Sequence, residues 1–323
     1  MAAASAGIDV EDVGEWVQRH RRACEQGSSH YIDPETGYLV FTEVGLRSRG
    51  RCCGSGCRHC PYSHQNVRDK ASKIKKPAWL YRSNTTSSSP AQTTVAVLFW
   101  SGGKDSFLTL RRLWRDKQAD ASLELVLLST FDVSSRVIAH QEVSIRMVVK
   151  QAQHLDISLL GVPLHKGKPY TDTIREALAV IESSGLRVGS LCFGDLHLQH
   201  IRTWREKEMA GIAPSVKLRF PVWQVPYDRL LDDLELSGVR CIISACEGPG
   251  LAYEADEPRN GDGNRVLPSA KDLQIELGTV FSRELSQTIM KAGWDGMGEN
   301  GECHTLAEVW SVPRERALGI GNA

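Results

Sequence analysis

The chain lacks any uninterrupted apolar run near the length of about 18 residues that a membrane-spanning helix needs, which argues against a membrane partner. Its first residues, MAAASAGIDVEDVGEW, lack the apolar core of a signal peptide. They also carry Asp9, Glu11 and Asp12, and acids are rare in transit peptides. No segment recurs at the spacing of a solenoid repeat. We therefore expect a cytoplasmic protein that does not bind membranes, and an organelle is the alternative location.

A net charge is also lacking, because 39 Lys and Arg balance 39 Asp and Glu. The distribution is uneven, however: residues 47–82 contain ten Lys and Arg and a single acid, Asp69. Such a basic segment is typical of contact with RNA, with another phosphate-rich partner or with an acidic protein. A solvated linker is the alternative interpretation. The stretch RSNTTSSSPAQTT at residues 82–94 is polar and rich in Ser and Thr, which predicts a flexible linker.

Cysteine is scarce outside one short cluster. Four of the nine cysteines lie within RGRCCGSGCRHCPYSH, residues 49–64. An odd total and this clustering argue against the disulfide framework of a secreted protein and indicate metal or redox chemistry. The candidate ligands are four thiols, with two imidazoles as spare nitrogen ligands: Cys52, Cys53, Cys57, Cys60, His59 and His64.

A metal is the favoured occupant of this cluster, because four thiolates so close together repel one another and oxidise unless a cation neutralises them. The first interpretation is a structural Zn²⁺ bound by Cys52 or Cys53 together with Cys57 and Cys60. An iron–sulfur cluster is the second and metal-free cysteines are the third. Upstream, YIDPETGYLVFTEVGL predicts two short strands around the turn DPETG. With the cysteines, this segment resembles a small cysteine-rich module that a metal would stabilise.

Apolar runs and helical patterns alternate after the linker. The runs are continuously apolar and rich in β-branched residues, as is typical of strands buried on both faces. They lie at residues 94–100, 123–131, 157–164, 189–196 and 240–246. Helical spacing occurs at residues 106–116, 143–155, 171–185 and 200–211, and again at about 270–291. This alternation predicts an α/β fold with a parallel sheet and helices on both faces, whose ligand site lies at the carboxyl ends of the strands.

The sequence SGGKDS, residues 101–106, follows the first strand and precedes the first helix. Backbone N–H groups and a helix N-terminus converge on an anion at such a junction. Gly102 and Gly103 let the backbone approach phosphate oxygens closely. Ser101 and Ser106 add hydroxyl donors, and Lys104 adds a positive charge. Asp105 adds a carboxylate able to hold Mg²⁺ through water.

Two better-known phosphate loops are excluded by position. A Walker A loop requires glycine where Leu98 stands and Ser or Thr where Asp105 stands. A dinucleotide fingerprint requires Gly or Ala where Ser106 stands. A purely structural turn is the remaining alternative to a phosphate site.

SGGKDS resembles the PP-loop of the ATP pyrophosphatase superfamily, also called the adenine nucleotide α-hydrolase-like enzymes. Five further motifs are similar, in the same order, to those of the diphthine–ammonia ligase-like family, and the resemblance spans about residues 95–310. They are SRVIAHQ (135–141), KQAQHL (150–155), FGDLHLQHIRTWREKEM (193–209), FPVW (220–223) and DGMGENGECHT (295–305).

The resemblance implies a Rossmann-like (HUP-type) domain and an ATP-dependent, AMP-forming amide ligase. A substrate carboxylate would attack the α phosphate, pyrophosphate would leave, and ammonia would convert the acyl adenylate to an amide. Asn300, Cys303 and His304 depart from the pattern of the diphthamide-making branch, so the acceptor stays open, with elongation factor 2 as one candidate. The alternatives are a PP-loop RNA-modifying enzyme such as a tRNA thiolase and a non-catalytic adenine-nucleotide-binding protein.

Several side chains are expected at the site. Asp195 ends the fourth strand at the ligand edge, and a helix N-cap is its alternative role. Arg202 and Arg205 suit binding of phosphate or a carboxylate, with Glu206 as a partner, and a solvated helix face is the alternative.

Glu299 and Glu302 are separated by two residues in a glycine-rich turn, so both carboxylates can converge to bind or deprotonate ammonium or to hold a metal. A plain surface turn is the alternative. The expected catalytic residues are Lys104, Asp105, Asp195, Glu299 and Glu302. Nucleotide binding is assigned to residues 101–106 and Gly194. Substrate binding is assigned to Arg136, His140, Arg202, Arg205, Glu206 and His304.

These patterns divide the chain into six parts. They are an N-terminal helix or tail (1–27), a cysteine-rich, metal-binding module (28–70), a basic and Ser/Thr-rich linker (71–93), a PP-loop ATP-binding domain (94–248), a loop (249–269) and a C-terminal substrate-binding region (270–323).

Overall fold

The described residues of the computed structural model are 15–34, 38–62, 64–68, 74–83, 93–120, 123–138, 141–246 and 268–320. Their helices are α1 Glu15–Glu25, α2 Glu43–Arg47, α3 Lys104–Ala119, α4 Ile145–Leu155, α5 Tyr170–Ser183, α6 Gln199–Ala210, α7 Tyr227–Ser237, α8 Arg283–Lys291 and α9 Arg314–Leu318. Their strands are β1 His30–Ile32, β2 Leu39–Phe41, β3 Ala78–Tyr81, β4 Thr93–Phe99, β5 Glu124–Asp132, β6 Val137–Ile138, β7 Val143–Ser144, β8 Ser158–Leu164, β9 Leu186–Cys192, β10 Lys217–Arg219, β11 Arg240–Cys246 and β12 Cys303–Glu308.

A six-stranded sheet in the order β10-β9-β4-β5-β8-β3 forms the centre. All neighbours in it are parallel except the edge strand β3, which runs antiparallel to β8. Side chains of β4 are buried on both faces: Ala96 and Leu98 pack with α3, α4 and α7, whereas Val95 and Val97 pack with α1, α5 and α6. The predicted α/β fold, with a mostly parallel central sheet flanked by helices, is confirmed.

The strand order reverses at β4. From β4 the chain proceeds through β5 and β8 in one direction, and it then returns to the other side of β4 through β9 and β10. The loops after β4 and β9 therefore lie side by side at the carboxyl edge of the sheet, where open α/β sheets bind ligands.

One predicted strand lies elsewhere. Residues 240–246 do not join the central sheet: β11 pairs antiparallel with β12. Alternate residues of β11 are buried, as in an antiparallel pair that is covered on one face. Its sequence RCIISAC is almost continuously apolar, which is why the sequence predicted a strand of the central sheet.

Two other expectations need correction. The predicted linker at residues 71–93 includes β3, whose residues AWLY are mostly buried and cover the edge of the central sheet. The predicted helix at about 270–291 is limited to α8. The residues just before α8 pair with β11 instead, since the N–H groups of Ile243 and Phe281 donate to the carbonyl oxygens of Thr279 and Cys241.

The N-terminal part combines α1, the β1–β2 hairpin and α2. The two short strands predicted around DPETG are confirmed, although residues 35–37 of that turn lie outside the described residues. Trp16 and Val17 of α1 pack into the core beneath α5, and His20 stacks on His59 with ring centroids 3.5 Å apart. Helix α1, from the segment expected at 1–27, therefore packs against the segment expected at 28–70.

The first fourteen residues and residues 247–267, which hold most of the predicted loop at 249–269, lie outside the described part of the chain. Within the described part, no helix combines the length and the apolarity that crossing a membrane requires.

Candidate functional site

Two loops meet at the carboxyl edge of the sheet, one after β4 and one after β9. Their close approach depends on Gly194, where a Cβ atom would lie 3.2 Å from the carbonyl oxygen of Asp105. The loop after β9 therefore packs directly on the first turn of α3, which brings the predicted nucleotide-binding residues of both loops together.

The phosphate loop is held by Gln151 of α4. Gly102 adopts a positive φ of 84°, and a Cβ atom there would lie 2.7 Å from the Gln151 side-chain oxygen. Buried Gln151 accepts from the Trp100 indole at 2.9 Å and donates to the carbonyl oxygens of Gly102 and Ala307, both at 2.8 Å. This network fixes the loop against β12, and sequence reasoning did not single out Gln151.

Hydroxyl groups hold the start of α3. The N–H of Lys104 donates to Thr305 Oγ1 at 3.0 Å, and the N–H of Gly103 donates to Ser101 Oγ at 3.3 Å. Ser106 Oγ in turn donates to the Gly103 carbonyl oxygen at 2.9 Å. Both predicted serines therefore shape the loop directly.

Lys104 and Asp105 form a buried ion pair, with Nζ 2.9 Å from Oδ2. Burial acts to lower the pKa of Lys104, but Asp105, Cys303 and Glu299 together outweigh it and raise that pKa. Burial raises the pKa of Asp105, against the opposing charge of Lys104. The second carboxylate oxygen, Oδ1, is buried and has no hydrogen-bond partner among the described residues. Buried polar atoms are rarely left unpaired, so this oxygen marks a position suited to a bound cation.

Glu299 reaches the same region from the C-terminal segment. Its Oε2 accepts the N–H of Leu196, in the loop after β9, at 3.2 Å. Burial raises the pKa of Glu299 to about 8, and the nearby charge of Asp105 adds to that rise. A carboxyl with this pKa exchanges a proton near neutral pH.

Glu302 has a different environment from Glu299. Its two oxygens accept the backbone N–H groups of Asp295 and Asn300 at 2.9 and 3.0 Å, and the Asn300 side chain at 3.2 Å. Glu302 is therefore bound by its own turn, and the expected convergence of the two carboxylates stays a prediction. The tight turn contains backbone donors that need an acceptor, and Glu302 supplies it.

Three further residues at the site were not selected from the sequence. Asp295 Oδ1 accepts the N–H of Glu299 at 3.1 Å, and its Oδ2 accepts the Tyr227 hydroxyl at 2.7 Å. The Tyr227 hydroxyl also lies 2.9 Å from His197 Nδ1. His197 and Asp295 lie within two of the sequence motifs described above, and that position could have identified them as site residues. Nothing in the sequence marked Tyr227.

The predicted acid and arginines after β9 largely bind one another. Asp195 accepts two hydrogen bonds from Arg205, at 2.6 and 3.0 Å, and the guanidinium lies over the Phe193 ring. Arg202 pairs with Glu206 at 2.9 Å. Arg202 and Arg205 therefore form local salt bridges, as in the alternative interpretation of this helix face.

The remaining predicted substrate residues are dispersed. Arg136 donates to the carbonyl oxygen of Ile74 at 2.9 Å and so holds the segment before β3. His304 Nδ1 lies 3.4 Å from the Gln141 side-chain nitrogen. His140 lies outside the described residues.

Comparison with protein families bears on the N-terminal part of the chain. Residues 19–66 match a family of unknown function (DUF5522). This DUF5522 segment contains most of α1, the β1–β2 hairpin, α2 and all four clustered cysteines, and it ends before the central sheet begins. The match therefore covers most of the cysteine-rich segment and does not extend to the site at the sheet edge.

The DUF5522 segment arranges its cysteines in two pairs. The sulfur atoms of Cys53 and Cys57 lie 3.2 Å apart, and those of Cys52 and Cys60 lie 3.7 Å apart. In the described part of the chain, no three His, Cys, Asp or Glu side chains form a group that could hold a metal ion.

The imidazoles expected as spare ligands have other neighbours. His64 has its ring nitrogens 2.8 and 3.0 Å from the carbonyl oxygens of Cys57 and Trp79, and His59 Nε2 lies 2.9 Å from the Tyr31 hydroxyl. The zinc and iron–sulfur interpretations stay predictions, and both imidazoles already contact other polar groups.

Proposed function

We propose that the protein is an ATP-dependent, AMP-forming amide ligase with a Rossmann-like (HUP-type) nucleotide-binding domain. The observation that carries the proposal is that the buried Oδ1 of Asp105, beside Lys104, has no hydrogen-bond partner within the described part of the chain. Both residues lie at the first turn of α3, where the strand order reverses. An anionic nucleotide and its cation suit this combination of a helix N-terminus, an ammonium group and a free carboxylate oxygen.

Lys104 and the loop at residues 101–106 would bind the leaving pyrophosphate of ATP. Asp105 would hold Mg²⁺, directly or through water, because a carboxylate is the hard oxygen ligand that this cation prefers. Bound there, Mg²⁺ supplies positive charge that stabilises the phosphates as pyrophosphate departs.

Adenylation activates a carboxylate for amide formation. A carboxylate is inert to ammonia because oxide is a poor leaving group, whereas a mixed anhydride with AMP carries a good one. Glu299, with a pKa near 8, suits removal of a proton from ammonium or from the attacking amine. Asp295 holds the backbone at that residue by accepting the N–H of Glu299.

A carboxylate acceptor is favoured over RNA by the environment of the basic segment. Arg47 and Arg82 both pair with Glu43, and Arg58 pairs with Asp33. Three of its cations therefore have acidic partners within the chain and are less available for a phosphate backbone. Elongation factor 2 is a candidate acceptor, ATP and ammonia are the other reactants, and the cytoplasm is the expected compartment.

Pyrophosphate and AMP release from Mg·ATP tests the proposal, with ammonium plus elongation factor 2, ammonium alone and total tRNA supplied separately. Ammonium-dependent release with a carboxylate acceptor is the expected result. Release that depends on tRNA and weakens steeply with salt would instead indicate an RNA-modifying enzyme. Binding of ATP without pyrophosphate release under every condition would remove the ligase and leave a nucleotide-binding protein.

A further inference from the structure

The turn from Cys53 to Cys57 brings two thiols into contact. Their sulfur atoms lie 3.2 Å apart, although four positions separate them in sequence. Gly54 and Gly56 have φ values of 78° and 72°, a region that residues with a Cβ atom rarely adopt, and this reverses the chain within the turn. A Cβ atom on Gly54 would also lie 3.0 Å from the carbonyl oxygen of Asn66. The backbone thus fixes the two cysteines side by side.

Neighbouring groups hold both ends of this turn. Asn66 Nδ2 donates to the carbonyl oxygen of Cys52 at 2.7 Å, and His64 Nε2 lies 2.8 Å from the carbonyl oxygen of Cys57. The thiols are therefore adjacent in a supported conformation, so joining them requires little rearrangement of the chain.

The two cysteine pairs differ in access to solvent. Cys53 is exposed and Cys57 is half-buried, so a small oxidant reaches this pair. Cys52 and Cys60 are only 4% and 8% exposed and pack with Val67. The exposed pair is therefore the reactive one, and the buried pair provides an internal comparison.

We infer that Cys53 and Cys57 form a reversible thiol–disulfide exchange site for low-molecular-weight disulfides. Cys53, as its thiolate, attacks glutathione disulfide, forms a mixed disulfide and releases one glutathione. Cys57 then loses its proton, attacks the Cys53 sulfur and releases a second glutathione. One S–S bond replaces two S–H bonds in the protein, and glutathione disulfide is reduced to two glutathione molecules. This site is independent of the chemistry proposed at the sheet edge.

Peptide mapping of the full-length protein tests the inference. The protein is equilibrated with reduced and oxidised glutathione at several ratios, quenched in acid, alkylated and digested with trypsin. Cleavage after Arg51 and Arg58 gives peptide 52–58, CCGSGCR, and places Cys60 in the next peptide. We expect peptide 52–58 with one alkylated thiol and one internal disulfide, in a fraction that rises with the oxidised share and returns to zero on reduction.

Single variants identify the pair. Cys53→Ser abolishes the internal disulfide, and Cys57→Ser leaves Cys53 as a mixed disulfide with glutathione. Cys24→Ser, outside the cluster, keeps the internal disulfide and controls for the loss of a thiol. Cys52→Ser also keeps it, provided that circular dichroism shows an unchanged fold. A cross-link between peptide 52–58 and the Cys60 peptide would overturn the pairing.

Elemental analysis of the same protein distinguishes the exchange site from a metal centre. We expect substoichiometric zinc and iron in protein whose exposed thiols react at once with the alkylating agent. About one bound metal per chain that protects all four thiols until a chelator is added would overturn the exchange site in favour of a metal centre. Absence of the disulfide at every glutathione ratio would also overturn it.

Discussion

Thr305 accepts the backbone N–H of Lys104 on its hydroxyl oxygen at 3.0 Å, across 201 positions of sequence. The same strand, β12, closes over Gly103, where a Cβ atom would lie 2.9 Å from the Thr305 carbonyl oxygen. The phosphate loop is therefore completed by the C-terminal segment, which also carries Glu299. We expect the stability of the loop and its ligand affinity to depend on both parts of the chain.

Replacing Thr305 tests this connection. Thr305→Val preserves the shape but leaves the buried N–H of Lys104 without an acceptor, which costs about 1–3 kcal/mol of unfolding free energy. Thr305→Ser keeps the hydroxyl and serves as the matched control. Urea unfolding and calorimetric ATP titration measure the two effects. Equal stability and equal ATP affinity in both variants would show that the hydrogen bond is dispensable.

Asp105→Asn tests the proposed cation position. The amide keeps the shape of the side chain but removes the charge that would bind Mg²⁺, so we expect pyrophosphate release to fall about 100-fold or more. Raising the Mg²⁺ concentration should restore part of the activity. Arg112→Ala, an exposed change on the same helix, should leave activity unaltered. Wild-type turnover in Asp105→Asn would remove this carboxylate from the mechanism.

Glu299 and Glu302 should respond differently to the same substitution. Glu302→Gln places an NH₂ group among backbone donors, so we expect a loss of about 1–3 kcal/mol in unfolding free energy. Glu299→Gln should retain the fold and abolish amide formation. Thermal unfolding and product analysis of both variants separate the roles. The assignment fails if Glu299→Gln unfolds while Glu302→Gln remains as stable as the wild type.

Titration of Glu299 gives stability a pH dependence. Its pKa is about 8 in the folded protein, against an ordinary value of 4.5. Between these values the folded state holds a proton that the unfolded chain has released, so this carboxyl makes stability fall as pH rises from about 5 to about 8. Glu299→Gln cannot titrate and should flatten that fall. Urea unfolding of both proteins at the two pH values checks the sign; an identical pH dependence would contradict it.

Local patterns predicted much of the fold. The continuously apolar runs of β4, β5, β8 and β9 identified buried parallel strands, because such strands are covered on both faces. SGGKDS predicted the loop between β4 and α3, because glycine is needed where φ is positive. The motif order also brought Glu299 into consideration.

Other features depended on partners distant in sequence. The run in β11 resembled a core strand, but it pairs with β12, and β3 lies in a stretch that composition alone assigns to a linker. Among the predicted charges, Asp195 and Arg205 satisfy each other, while Glu302 turns into its own loop. Residue type and spacing do not specify which donor a carboxylate meets.

The sequence by itself determined the alternation of strands and helices, the glycine-containing phosphate loop and the clustering of four cysteines, because each depends on residues close together in the chain. Only the tertiary structure decided that Thr305 and Gln151 hold that loop and that one buried oxygen of Asp105 meets no partner among the described residues. It also decided that the cysteines lie as two pairs. These outcomes depend on which elements pack together and which polar groups lose water, and burial of that kind is a property of the whole fold.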